Sequence, residues 1–321
     1  MNKKLLNFID KLGERLFSNT YQMQRIVMLT GIVLVVATAS FAGYYYYDRY
    51  YRPQPKIAEM GIAQAEQAVR DDPNNPEKRL NLAETYMVNR RIDDALKLAN
   101  EVMVNYPENQ HAWLLVGVAS NLNSQYQDAI PPLEKFLEAN KDAEMPGLNK
   151  ALQSAAFYLG DSYLKLNQYD KAVVVLQKAV DWSQTDSDAM VRLGMAYNGV
   201  GRFEEAVTMF ENAAKFVPNY TEAYEGMAVS FDALKENDLS VYARGMVAFS
   251  KKDYKTALDM LLKAVQAKPD FIPIYDGLGL TYEARNDLKN AKASYETAVK
   301  LFPDDFTAKT GLQRVNALLN K

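Results

Sequence analysis

Residues 272–305 read IPIYDGLGLTYEARNDLKNAKASYETAVKLFPDD. Tyr275, Leu278 and Tyr282 recur at three- and four-residue intervals, and so do Ala291, Tyr295 and Ala298. That spacing puts each set on one face of an α-helix. A short polar turn separates the two stretches, and Pro303 cannot continue the second. The segment predicts a pair of helices closed by a turn. Residues 187–220 repeat the pattern at the same offsets, with Leu193-Gly194, Tyr197, Ala206, Phe210, Ala213 and Pro218. Gly or Ala at the eighth place lets the first helix approach the second, and Ala at the twentieth does the same from the other side. The large residues fill the space between helices and the next pair.

Six windows fit a period of 34 residues: 76–109, 110–143, 153–186, 187–220, 238–271 and 272–305. Leu82-Ala83, Tyr86, Ala95 and Pro107 mark the first; Trp113, Val116-Gly117, Ala129 and Leu133 mark the second. Leu159-Gly160, Tyr163, Ala172 and Leu176 mark the third; Gly245, Ala257, Leu261 and Pro269 mark the fifth. One pair cannot bury its apolar face, whereas a stack can. Residues 57–73 match only a second helix and 221–237 only a first helix, so both are expected to be unpaired. The second of these is expected to disturb the superhelix and divide the array. Residues 144–152 form an insertion around Met145-Pro146-Gly147. Residues 306–321 read as a capping helix with Leu312, Val315 and Leu318 on one side.

These residues resemble the tetratricopeptide repeat family, whose signature runs W-x2-L-G-x2-Y, then A-x3-F, A and P. The resemblance covers most of residues 57–321 and recurs in phase. It implies an all-α fold, a right-handed superhelical solenoid, in which first helices line a concave groove that binds protein segments. Carried over by offset, the groove takes Glu77, Leu80, Glu84 and Met87, then His111, Leu114, Val118 and Asn121. It continues with Phe157, Asp161 and Leu164, then Val191, Met195 and Asn198, then Tyr242, Met246 and Phe249. Chaperone-binding members clamp a carboxylate with Lys, Asn and Arg. The matching places here hold Leu80, Glu84, Leu115 and Ser154, so that clamp is absent. An apolar groove with isolated polar residues suits an amphipathic helix or an extended segment.

The N-terminal region differs in kind. Residues 26–47, IVMLTGIVLVVATASFAGYYYY, carry no charge, long enough as a helix to cross a bilayer of about 30 Å. Tyr44–Tyr47 fit an interfacial aromatic belt, and Arg52-Pro53-Gln54-Pro55 begins a linker, residues 48–56. The competing reading is a cleaved signal peptide, with small-residue sites at Ala37-Thr38-Ala39 and Ser40-Phe41-Ala42. Residues 1–25 carry Leu5, Phe8, Ile9, Leu12 and Leu16 at helical spacing, an amphipathic segment or a frayed extension. Lys3, Lys4, Lys11, Arg15 and Arg25 precede the span, against Arg49, Arg52 and Lys56 after it. This bias orients the N-terminus to the cytoplasm and the repeats to the outer, periplasmic or extracytoplasmic side.

The chemistry is correspondingly narrow. The 321 residues include no Cys and a single His, His111, which leaves no thiolate or multi-histidine metal site and no Ser-His-Asp site elsewhere in the chain. His111 itself reads as a surface or capping residue. Nucleotide and acyl-transfer motifs GxxxxGK[ST], GxGxxG and GxSxG do not occur. Residues 1–56 carry a net +5 and the remainder a net −8, so the repeats have little attraction for nucleic acid. The expectation is a non-enzymatic membrane-anchored scaffold for protein partners, an assembly factor or accessory subunit of a membrane complex. No catalytic residue, metal, cofactor or small-molecule substrate is assigned. The alternative is an exported adaptor that handles secreted or unfolded clients.

Overall fold

The structure, a computed structural model, describes residues 57–320 throughout and, before them, residues 3, 6, 7, 11, 27–31, 33, 34, 36–38, 40 and 41. The chain separates into two compact units, residues 1–61 and 62–321. In the first unit the described positions are helical, and Val27, Met28, Leu29, Val33, Leu34, Val36 and Phe41 are all exposed. Among the described residues no helix is long and apolar enough to cross a membrane. The rest of 26–47, the belt Tyr44–Tyr47, the linker 48–56 and the five apolar residues of 1–25 lie outside the described residues.

From Ile57 onward the chain is helical and turns on itself without strands among the described residues. The helices are α1 (Ile57–Asp71), α2 (Pro76–Val88), α3 (Ile92–Asn105), α4 (Gln110–Leu122) and α5 (Tyr126–Ala139). They continue as α6 (Lys150–Lys165), α7 (Tyr169–Trp182), α8 (Ser187–Gly199), α9 (Phe203–Phe216) and α10 (Thr221–Ala233). The last are α11 (Asn237–Ser250), α12 (Tyr254–Ala267), α13 (Ile272–Ala284), α14 (Leu288–Leu301) and α15 (Phe306–Leu319). From α2 onward each packs on the next, and α2, α4, α6, α8 and α10 also touch in succession to form a layer of first helices.

Two kinds of turn build this alternation. Second helices give way to first helices through turns such as 106–109 and 302–305, where Asn109 and Asp305 cap the next helix by accepting from Ala112 and Ala308 N–H. In three of these joints an aromatic four residues into the first helix donates back to the proline carbonyl. These are Trp113 to Pro107 at 2.9 Å, Tyr224 to Pro218 at 3.2 Å and Tyr275 to Pro269 at 2.9 Å. First helices give way to second helices through three-residue turns whose middle residue is left-handed. Arg90, Ser124, Asn167, Gly201, Lys235, Lys252 and Asn286 have φ between 57° and 78°. The next N–H then bonds the carbonyl five residues back, as Arg91 does to Tyr86 at 2.8 Å, the helix-ending motif that satisfies an orphan carbonyl.

That turn occurs at both Lys235 and Lys252, half a repeat apart. Helix α11 is therefore the second helix of α10 and also the first helix of α12. It packs on both, and the first-helix layer resumes as α11, α13 and α15. The unpaired helix expected at 221–237 is thus corrected: α10 packs on α9 and α11. The array is not divided there either, because one core runs from Trp113 through Phe231, Tyr242 and Met246 to Leu278. The insertion 144–152 forms a short 3-10 turn, Pro146–Leu148, and the first turn of α6. In α15 Val315 is fully buried while Leu318 is exposed.

Close helix approach depends on the small residues of the signature. Phe210 of α9 is fully buried between Gly194 of α8 and Gly226 of α10. A Cβ at Gly194 would meet its ring at 2.7 Å, and one at Gly226 at 2.3 Å.

Candidate functional site

The groove offsets fall at the second, fifth, ninth and twelfth places of the 34-residue windows, one stripe at helical spacing. The stripe divides into three sets. Leu80, Val118, Leu164, Val191, Tyr242 and Met246 are buried, so these six belong to the core and are corrected as partner contacts. Their side chains pack among the neighbouring helices instead of lying on the open face of the stripe. Met87, Leu114, Phe157, Met195 and Phe249 are half-buried, each packed against the core with part of its surface open. The third set is polar and mostly occupied within the array.

Asn121 of α4 donates to Asp161 Oδ2 and Ser162 Oγ of α6, both at 3.0 Å. Asn198 of α8 is used in the same way one joint later: Ser230 of α10 donates to its Oδ1 at 2.7 Å, and it donates to the Gly226 carbonyl at 3.1 Å. These amides are rungs between first helices, not free partner contacts. A buried amide left without partners is unfavourable by about 1–3 kcal/mol, which favours this internal use. Arg192, which the sequence reading did not select, joins three first helices. Its Nε lies 3.0 Å from Asp161 Oδ1 and another guanidinium nitrogen lies 2.8 Å from Glu222 Oε2.

His111 lies between two carboxylates of α2, with Nδ1 3.1 Å from Glu77 and Nε2 2.9 Å from Glu84. The bond from Glu84, reinforced by Glu77, raises its pKa above 6.5 against the opposing effect of burial. Glu77 is held below the usual carboxylate range by Asn109 and then His111. Expected as a surface or capping residue, His111 is a partly exposed side chain that bridges the first two repeats.

Helix α10 contributes none of the groove residues expected from the sequence. Its stripe, Glu222, Glu225, Val229 and Asp232, is wholly exposed. The same offsets, applied once the α10–α11 turn is recognised, find it. Its acids are paired within the array, Glu222 with Arg192, Glu225 with Lys251 and Asp232 with Arg244.

Models described as tetratricopeptide repeat match residues 61–118, 163–229, 240–271 and 272–305, more than half of the chain. The chain belongs to the tetratricopeptide repeat family. Among curated relatives, anaphase-promoting complex subunit 3 of Schizosaccharomyces pombe is 24% identical over 151 residues, 47% of this chain and 21% of that protein. BBSome complex member BBS4 of Bos taurus is 25% identical over 187 residues, 53% of this chain and 36% of that protein. The chain thus aligns with about a fifth to a third of these relatives' lengths. The solved structure of YrrB, a TPR protein with an unusual peptide-binding site, is 22% identical with a TM-score of 0.47, covering 70% of this chain and 99% of that one. Tetratricopeptide proteins mediate protein–protein interactions.

Proposed function

We propose that this protein is a membrane-anchored scaffold that binds protein partners, as an assembly factor or accessory subunit of a membrane complex. It performs no catalysis on this reading. The observation that carries it is the row of half-buried apolar side chains on successive first helices: Met87 on α2, Leu114 on α4, Phe157 on α6 and Met195 on α8. A row of this kind suits an amphipathic segment with apolar anchors. The names of two relatives, each a member of a multi-protein complex, agree with it.

The anchor rests on residues 26–47, uncharged throughout, and on the exposed apolar side chains of the described helical positions there. In water such a run of exposed Val, Leu, Met and Phe is unfavourable by about 25 cal/mol per Å². In a bilayer the penalty vanishes. The lysine and arginine bias places the repeats on the outer side. Anchoring confines the search for partners to two dimensions and raises their effective concentration.

Purification of the full chain in mild detergent recovers one or two stable membrane partners if this is right. Recovery of a monomer without partners contradicts the scaffold. An intact mass that begins at Gly43 contradicts the anchor and favours the exported adaptor.

A further inference from the structure

The half-repeat at α11 creates a cavity of about 140 Å³ between α9, α10, α11, α13 and the start of α15. Glu211 and Lys215 come from α9, Tyr224 from α10, Tyr242 from α11, Asp276 from α13, and Asp305 from the turn before α15. Lys215 is exposed and marks the mouth, while Tyr224 and Tyr242, 4% and 5% exposed, form the floor.

One polar atom in this cavity lacks a partner: Asp276 Oδ1 is buried and makes no hydrogen bond. Tyr242 also lines the cavity, and the Tyr224 hydroxyl is satisfied by Pro218. An orphaned buried acceptor is unfavourable by about 1–3 kcal/mol unless something occupies the site. Three carboxyls face one ammonium, so the lining is acidic. No group of three such side chains among the described residues converges closely enough to hold a metal ion.

We propose that this cavity binds an alkyl guanidinium or alkylammonium group, whose N–H donors satisfy Asp276 and reach Tyr242 and whose alkyl stem packs on Met227, Met246 and Leu280. The volume suits that occupant, because a dry cavity of roughly 150 Å³ accepts a molecule of benzene's size. The two tyrosine rings supply the faces on which a cation rests. Electrostatics adds a signature. Burial, with Asp305 beside it, pushes Asp276 up to about 8, and burial raises Glu211. Lys215, Tyr224, Tyr242 and Asp305 are the other titratable groups facing it. A guanidinium stays charged throughout, so its binding expels the Asp276 proton and tightens from pH 6 to pH 9.

The test is calorimetric titration of the full chain with n-butylguanidinium, with butyramide as the neutral control. The expected result is saturable binding of the cation alone, at least ten-fold weaker in Asp276→Asn, weaker in Tyr242→Phe, and tighter in Lys215→Gln. A blocked pentapeptide with one central arginine distinguishes the source: a tighter peptide identifies a partner's side chain, and an excluded peptide with n-butylguanidinium still bound identifies a free small cation. Absence of saturable binding, equal binding of butyramide, or indifference to Asp276→Asn overturns the proposal. None of these outcomes depends on the scaffold reading, which co-purification tests separately.

Discussion

Arg192 of α8 reaches back to Asp161 of α6, Nε to Oδ1 at 3.0 Å, with side chains 20% and 10% exposed. Neither atom makes a well-aligned hydrogen bond, so the attraction is Coulombic in a partly desolvated joint. Removing one partner leaves the other charge poorly compensated. Asp161→Leu is expected to destabilise the array by about 2–3 kcal/mol, and the double variant Asp161→Leu/Arg192→Met to recover most of that loss. Urea unfolding of the two single variants and the double measures the coupling. Simple additivity would remove the pair from the account.

His111 is the single histidine, so its ring protons report one site without overlap. The carboxylates of Glu84 and Glu77 raise its folded pKa, which makes the protonated form the stabilised one. Its contribution is full below the unfolded value, near 6.5, and is lost as pH rises through the higher folded value. NMR titration is expected to show a midpoint above 6.5 that falls in Glu84→Gln. An unchanged midpoint in that variant contradicts the bridge.

Gly226 meets the Phe210 ring from one side and Gly194 meets it from the other. Alanine gains about 1 kcal/mol over glycine in a helix. Overpacking a filled core typically costs about 1–3 kcal/mol, and here the ring has no room to retreat. Gly226→Ala is expected to lower stability by about 1–2 kcal/mol on balance. Gly61→Ala, with nothing within 4 Å of its Cβ, is expected to raise it. Opposite signs in thermal unfolding confirm that packing, not propensity, sets the glycine.

Asp276 is held up at about 8, well above its ordinary 3.8, chiefly by burial. Between those values the folded chain keeps a proton that the unfolded chain releases. Stability therefore falls as pH rises through that window, by up to about 1.4 kcal/mol per pH unit, and this contribution levels off above it. Asp276→Asn removes the slope, so the variant gains on the parent at pH 8 relative to pH 5. Parallel stability curves for the two proteins rule this out.

The helix pairs were legible because their signals are local. Leu193-Gly194, Tyr197 and Phe210 show both period and close approach within a few turns. The half-repeat was less legible. Lys235 and Lys252 carry no turn-favouring side chain, so their left-handed backbone is set by the helices on either side. The groove was legible as a stripe but not in its exposure. Asn121 and Asp161 look like partner contacts until Ser162 and Arg192, on other helices, are seen to occupy them. Spacing places a side chain on a face; only the neighbouring helix decides whether that face is open.

The central claim is that the first-helix surface receives a protein partner. Photo-crosslinking side chains placed singly at Leu114, Phe157 and Met195 of the full chain in its native cells test it directly. Val174 on the second helix α7, 61% exposed, serves as the control. The account predicts that all three groove positions capture the same protein and that Val174 does not. Capture from Val174 with none from the groove would contradict it.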